Sequence, residues 1–140
     1  MVNVDAMPIR IKDITIICIA PNLFEIIPDE GIEISTEHVT KGYQYLLDNS
    51  QGAVALLINR RYQFSTSHEA MVQQDNMQWI AARAFLCHTY MSKAVSQGAI
   101  MAIKGDKNKL QVFMNRVKAI EWLTQRQQEF TVVDRALALE

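Results

Sequence analysis

Asn59-Arg60-Arg61 and, a few residues on, Ser65-Thr66-Ser67 are the residues of this chain whose types and spacing could do chemistry together. A guanidinium presents a fork of donors that fits a carboxylate or a phosphate. Hydroxyls at a helix start sit where free backbone N–H groups and the positive dipole end favour an anion. The segment could therefore receive a phosphate group, be phosphorylated, or dock a partner. The plainer readings are solvated loop arginines, a turn-forming asparagine and a capped helix, since Thr66 followed three residues later by Glu69 has the pattern of a capping box.

The histidines and cysteines give less. His38, His68 and His88 do not share a metal-ligand spacing, and Cys18 and Cys87 lack the paired spacing of a zinc site or the number needed for a disulfide framework. Cys87-His88, with His68, would form a nucleophile only if the fold brought them to one sheet edge beside a third, orienting group. The glycines (Gly31, Gly42, Gly52, Gly98 and Gly105) are isolated, so no phosphate-cradling loop is present, while Glu69 and Asp75 read as a helix cap and a helix break. These residues imply no enzyme, no cofactor and no metal, with both thiols buried and reduced in a cytoplasmic protein.

What must position the Asn59–Ser67 segment is the apolar run Ala53 to Ile58 before it, of a length and composition suited to a strand covered on both faces. Before that come a leader, Met1 to Lys12, two strands (Ile14 to Ile19 and Leu23 to Ile27) turning at Pro21-Asn22, and a short strand from Ile32 to Ile34. Ser35 or Thr36 caps a helix with an apolar stripe of Val39, Tyr43, Leu46 and Leu47, in which Gly42 would let the helix approach the sheet closely. After the segment, a helix is expected from Thr66 to the break at Asp75-Asn76, with one more turn over Met77 to Ile80. A strand ending at Cys87, a helix from Met91 to Ile103, a strand from Leu110 to Met114 and a helix capped by Asn115 complete the series. In that last helix Val117, Ile120 and Leu123 form the apolar stripe; residues 129–140 are a C-terminal extension of mixed strand and helix character.

With 140 residues, 49% of them hydrophobic, and a net charge of -1, the chain reads as one α/β domain with no basic face for nucleic acid. No apolar run approaches the roughly 20 residues of a membrane span, and the start lacks the apolar stretch of a secretory signal.

The order of elements from about Ile14 to Gln128, closing on Ala119-Ile120-Glu121-Trp122-Leu123, resembles small bacterial proteins of SpoIIAA-like type, the STAS and STAS/SEC14 group. The resemblance implies a SpoIIAA-like fold: a mixed sheet of about five to six strands with helices packed on it. In anti-sigma-factor antagonists of that group, a Phe precedes Asp-Ser-Ser-Gly at the helix start, and the first Ser is phosphorylated. Phe64 matches the Phe, Thr66 falls at the Asp, Ser67 at the phosphorylated Ser, and His68 and Glu69 replace the second Ser and the Gly.

The Met91 to Ile103 helix is apolar nearly all round, and its Ala94, Gly98 and Ala102 recur every four residues. That row is expected to face the sheet, with a dimer face or the border of a ligand cavity as alternatives. Two functions follow. One is a regulatory module of STAS-like type that meets a protein partner, or itself, through the Asn59 to Glu69 edge. The other is a carrier of a small apolar or lipid-like ligand against Met91, Ala94, Val95, Gly98, Met101 and Ala102, as kinship with lipid-binding Sec14 domains would imply. A continuous apolar cavity of a few hundred Å³ separates them, because only the carrier requires one.

Overall fold

A computed structural model describes residues 7–103, 107–130 and 139. Its elements are β1 (Ile9–Ile11), β2 (Ile14–Ala20), β3 (Leu23–Pro28), β4 (Glu33–Ile34), α1 (Thr36–Asp48), β5 (Val54–Asn59), β6 (Ser65–Thr66), α2 (His68–Asp75), β7 (Ile80–Leu86), α3 (Tyr90–Met101), β8 (Leu110–Phe113) and α4 (Arg116–Glu129), with a 3-10 turn at Lys107–Lys109 before β8. Six strands form one mixed sheet in the order β1-β2-β3-β5-β7-β8, antiparallel from β1 to β3 and parallel from β3 onward. The protein is thus α/β with helices on a six-stranded sheet, as expected. The β2–β3 turn falls at Pro21-Asn22, with Asn22 in the left-handed region at φ 60°.

Strand alternation sends side chains to two separate layers. Ile14, Ile16, Phe24, Ile26, Leu56 and Ile58 pack beneath Leu46 of α1. On the opposite face Leu23, Ala55, Leu57, Ala84 and Leu86 pack against Ala119 and Leu123 of α4. Helices α2 and α3 share the α1 face, where they flank Arg83 and Phe85 of β7. Among the described residues no helix is long and apolar enough to cross a membrane.

Several elements differ from the sequence reading. The stretch Met1 to Lys12, read as a leader, contributes β1: Ile9 and Ile11 pair with Ile16 and Ile14, while Arg10 lies outside and grips Asp29 through two bonds of 2.8 and 2.7 Å. Pro8 stands just before the strand, where its missing N–H costs the ladder nothing. Ser65 and Thr66 belong to no helix. They pair with Glu33 and Ile34 as a separate two-stranded sheet, which carries the extended chain one residue further than expected. Ser67 is therefore the N-cap of α2, its Oγ accepting the Ala70 N–H at 3.1 Å, and the capping box expected at Thr66 does not form. One hydrogen-bonded turn follows over Met77 to Ile80, the Ile80 N–H donating to the Met77 carbonyl at 3.2 Å, and Ile80 then opens β7.

In α4 it is Ala119 and Leu123 that are buried, and Val117 is 64% exposed, so the stripe steps by four rather than by three. Gly42 does not mediate a close approach: a Cβ there would meet nothing within 4 Å. The small-residue row of α3 does not face the sheet either. Ala94, Gly98 and Ala102 are exposed, and Ser96 is the buried residue of that helix, with its Oγ 3.5 Å from Cys87 Sγ. Small side chains offer little area to bury, so a helix apolar on every side is oriented by the Ser96–Cys87 contact and by Val95, Ala99 and Ile100 beside it. Beyond Phe130 the proposed C-terminal extension lies outside the described residues, Leu139 apart.

Candidate functional site

The end of β5 divides its side chains between the two layers. Asn59 follows Leu57 onto the α4 face and is buried; Arg60 follows Ile58 onto the α1 face and is partly buried. The Arg60 backbone is held in place by its N–H, which donates to the Leu86 carbonyl at 2.9 Å.

On the α4 face Asn59 joins a chain of charged and polar groups. Its Nδ2 donates to Glu25 Oε2 at 2.8 Å, and its Oδ1 lies 2.8 Å from His88 Nε2. Arg116, the first residue of α4, donates to both Glu25 oxygens, at 2.9 and 2.6 Å. Glu25 is only 4% exposed. Burial pushes its carboxyl upward, but the hydrogen bonds from Arg116 and Asn59 and the charge of Arg116 outweigh that, so its pKa lies below the ordinary carboxylate value. The sequence reading missed Glu25, Arg116 and His88 as a group. The available signal was a lone carboxylate inside the apolar run Leu23 to Ile27, which cannot be buried without a partner.

On the α1 face Arg60 borders two connected spaces. One is a cleft of about 270 Å³ between α2 and α3, floored by Arg83 and Phe85 and walled by Met71, Val95 and Ile100. The other is a cavity of about 80 Å³ beneath α1, lined by Ile26, Val39, Gly42 and Leu46 among others. Arg60, Phe64, Thr66, Gln74 and Phe85 line both, so the two spaces lie side by side and meet at these residues. The Arg60 guanidinium lies over the Phe64 ring, 4.4 Å from its centroid, and its Nε is buried without a hydrogen-bond partner. Burial lowers the Arg60 pKa, partly opposed by the nearby Cys87.

The residues expected to form one edge thus separate. Arg60, Ser65 and Thr66 meet at the cleft. Asn59 is on the other face, Arg61 is exposed over the Tyr62 ring, and the Ser67 hydroxyl is occupied as a cap. Of the apolar set on α3, Val95 lines the cleft, and Met91 lines a groove beside it with Arg61 and Tyr62. Met91, Val95 and Met101 are 76%, 58% and 76% exposed.

His38 has a positional part. Ser35 is the N-cap of α1, its N–H donating to His38 Nδ1 at 3.0 Å, while His38 Nε2 lies 2.9 Å from Asp13 Oδ2. Ser, His and Asp are in line here, but Nδ1 already accepts a backbone N–H and Ser35 Oγ accepts the His38 N–H. The trio ties α1 to the β1–β2 turn. Cys87 is buried and Cys18 partly buried, and they are not joined. Burial raises the pKa of Cys18. Among the described residues no three His, Cys, Asp or Glu side chains converge as a metal site requires.

No family model matches the sequence, and no curated protein matches it. A solved structure from Shewanella loihica PV-4, an uncharacterized protein from the DUF3478 family with a SpoIIAA-like fold, is similar to 84% of this chain over 90% of its own, with 12% identity and a TM-score of 0.49.

Proposed function

We propose that this protein is a non-catalytic cytoplasmic binding module, of the STAS-like kind its sequence resembles, that holds a small apolar or amphipathic molecule between its sheet and helices α1, α2 and α3. The two adjoining spaces that Arg60 borders carry this reading. A closed core packs to crystal density with few voids larger than a water. This layer instead keeps a cleft of about 270 Å³ beside a cavity of about 80 Å³. Gly42 supports it, since a side chain there would have open room and none is present.

Native mass spectrometry of freshly purified protein tests the proposal, with an Ala99→Trp variant beside the wild type. Ala99 is exposed on α3 and lines the cleft, so an indole there fills the space without entering the core. The wild type should carry an added mass, or take one up from decan-1-ol, and Ala99→Trp should not. A wild-type protein that stays bare in both conditions excludes the carrier reading.

A second reading has its own observation. Tyr90, Met91, Val95 and Met101 expose apolar side chains along α3 beside Tyr62. Such a surface suits the protein partner, or second copy, that a STAS-like module would meet. The same spectra report subunit number, and a strictly monomeric protein would remove self-association from this reading.

A further inference from the structure

The observations at the cleft specify more than an apolar occupant. Its charged lining residues are two arginines, Arg60 and Arg83, and one carboxylate, Asp75. Arg83 is committed: it lies 3.7 Å from Asp75 and donates to Gln74 Oε1 at 2.9 Å. Arg60 is not. Among the described residues no carboxylate pairs with it, its Nε has no acceptor, and its guanidinium lies over the Phe64 face. Arg116, on the other face of the sheet, shows how this fold treats a guanidinium that is satisfied internally, with two bonds to Glu25.

A partly buried cation with an unused donor, at the mouth of an apolar space, is complementary to one shape of molecule. We infer that the ligand is a single-chain amphiphile with an anionic head, whose chain lies along Phe64, Phe85 and Ile100 and whose head is taken by Arg60. This rests on the carrier reading above. A carboxylate or a phosphate monoester would serve, because both present paired oxygens to the guanidinium fork. Thr66 lines the same space, and a threonine hydroxyl can donate to a further head oxygen. Burial without an acceptor makes Arg60 expensive to keep in the free protein, and a bound anion removes that cost.

Isothermal titration with decanoate, decyl phosphate and decan-1-ol separates head from chain. Wild-type protein should bind at least one of the two anions about tenfold more tightly than the alcohol, as one charge-assisted pair provides. Whichever anion binds more tightly identifies the head. In Arg60→Met that preference should vanish while affinity for decan-1-ol stays within about threefold, and in Arg60→Lys part of the preference should return. Denaturant melts of each variant establish that it is folded. Equal affinity for all three probes in the wild type would overturn the inference and leave the carrier reading intact, as would an anion preference that survives in Arg60→Met. Failure of every probe to bind the wild type would overturn both.

Discussion

The two faces of the sheet at the end of β5 carry the same kind of group and treat it differently. On the α4 face Arg116 and Glu25 meet at 2.6 Å with Asn59 as a further donor, and every oxygen of the buried carboxylate has a partner. On the α1 face, one residue further along the chain, Arg60 has a ring beneath it and no anion. The packing differs in the same sense. The α4 layer is closed by Ala55, Ala82, Ala84 and Ala119, small residues that let helix and sheet meet. The α1 layer keeps the cleft and the cavity. A satisfied buried charge marks a part of the protein that is finished. An unsatisfied one beside open space is where the proposed ligand would supply the missing partner.

That contrast is sharpest in stability. Arg116→Met leaves Glu25 buried with Asn59 alone, and removing one partner of a buried pair costs several kcal/mol. Because the Arg116 side chain is itself 45% exposed, the expected loss is smaller, about 2–3 kcal/mol in urea melts at pH 7. The Glu25 carboxyl has a lowered pKa in the folded protein, so its contribution is complete above the unfolded value of about 4.3 and is lost as pH falls through the folded one. The gap between Arg116→Met and wild type should accordingly narrow in melts repeated at progressively lower pH. A gap that does not narrow means that Arg116 acts through packing and not through charge.

On the other face Gly42→Ala should stabilise α1 by about 1 kcal/mol, because helix propensity rises and the new methyl enters empty space. Thermal melts that show a loss instead would mean that the cavity wall is tighter than described. The smallest effect is expected for Arg60→Met. Loss of the cation–π contact and relief of an unpaired buried cation act in opposite directions, so denaturant midpoints should stay within about 0.5 kcal/mol of wild type. A loss as large as that of Arg116→Met would make Arg60 a structural residue and erase the distinction between the faces.

The class of fold was legible because β5 is six residues buried end to end and the elements around it alternate with clear turn residues. Asn22 and the caps Ser35 and Asn115 act locally, and local chemistry is what a sequence displays. What it concealed is decided by partners distant in the chain. Ser65 and Thr66 are hydroxyls suited to a helix start until Glu33 and Ile34 pair with them. The face of α3 could not be chosen from a pattern that is apolar on all sides, and it was settled by Ser96 against Cys87. At the site, Arg60 was visible as a residue type, but its isolation was not. That depends on Glu25 and Asp75 being engaged elsewhere.

The sheet order β1-β2-β3-β5-β7-β8 never reverses. As the chain leaves the ribosome, each strand therefore finds its place on the edge left by the strand before it, and no later segment must be threaded between two already paired. Glu25 enters this growing sheet with β3 and waits 91 residues for Arg116. During that wait the face it occupies has no helix over it, and water can solvate the carboxylate. The helix that excludes the water starts with the arginine that replaces it, so in the order of synthesis Glu25 is covered and neutralised in a single step.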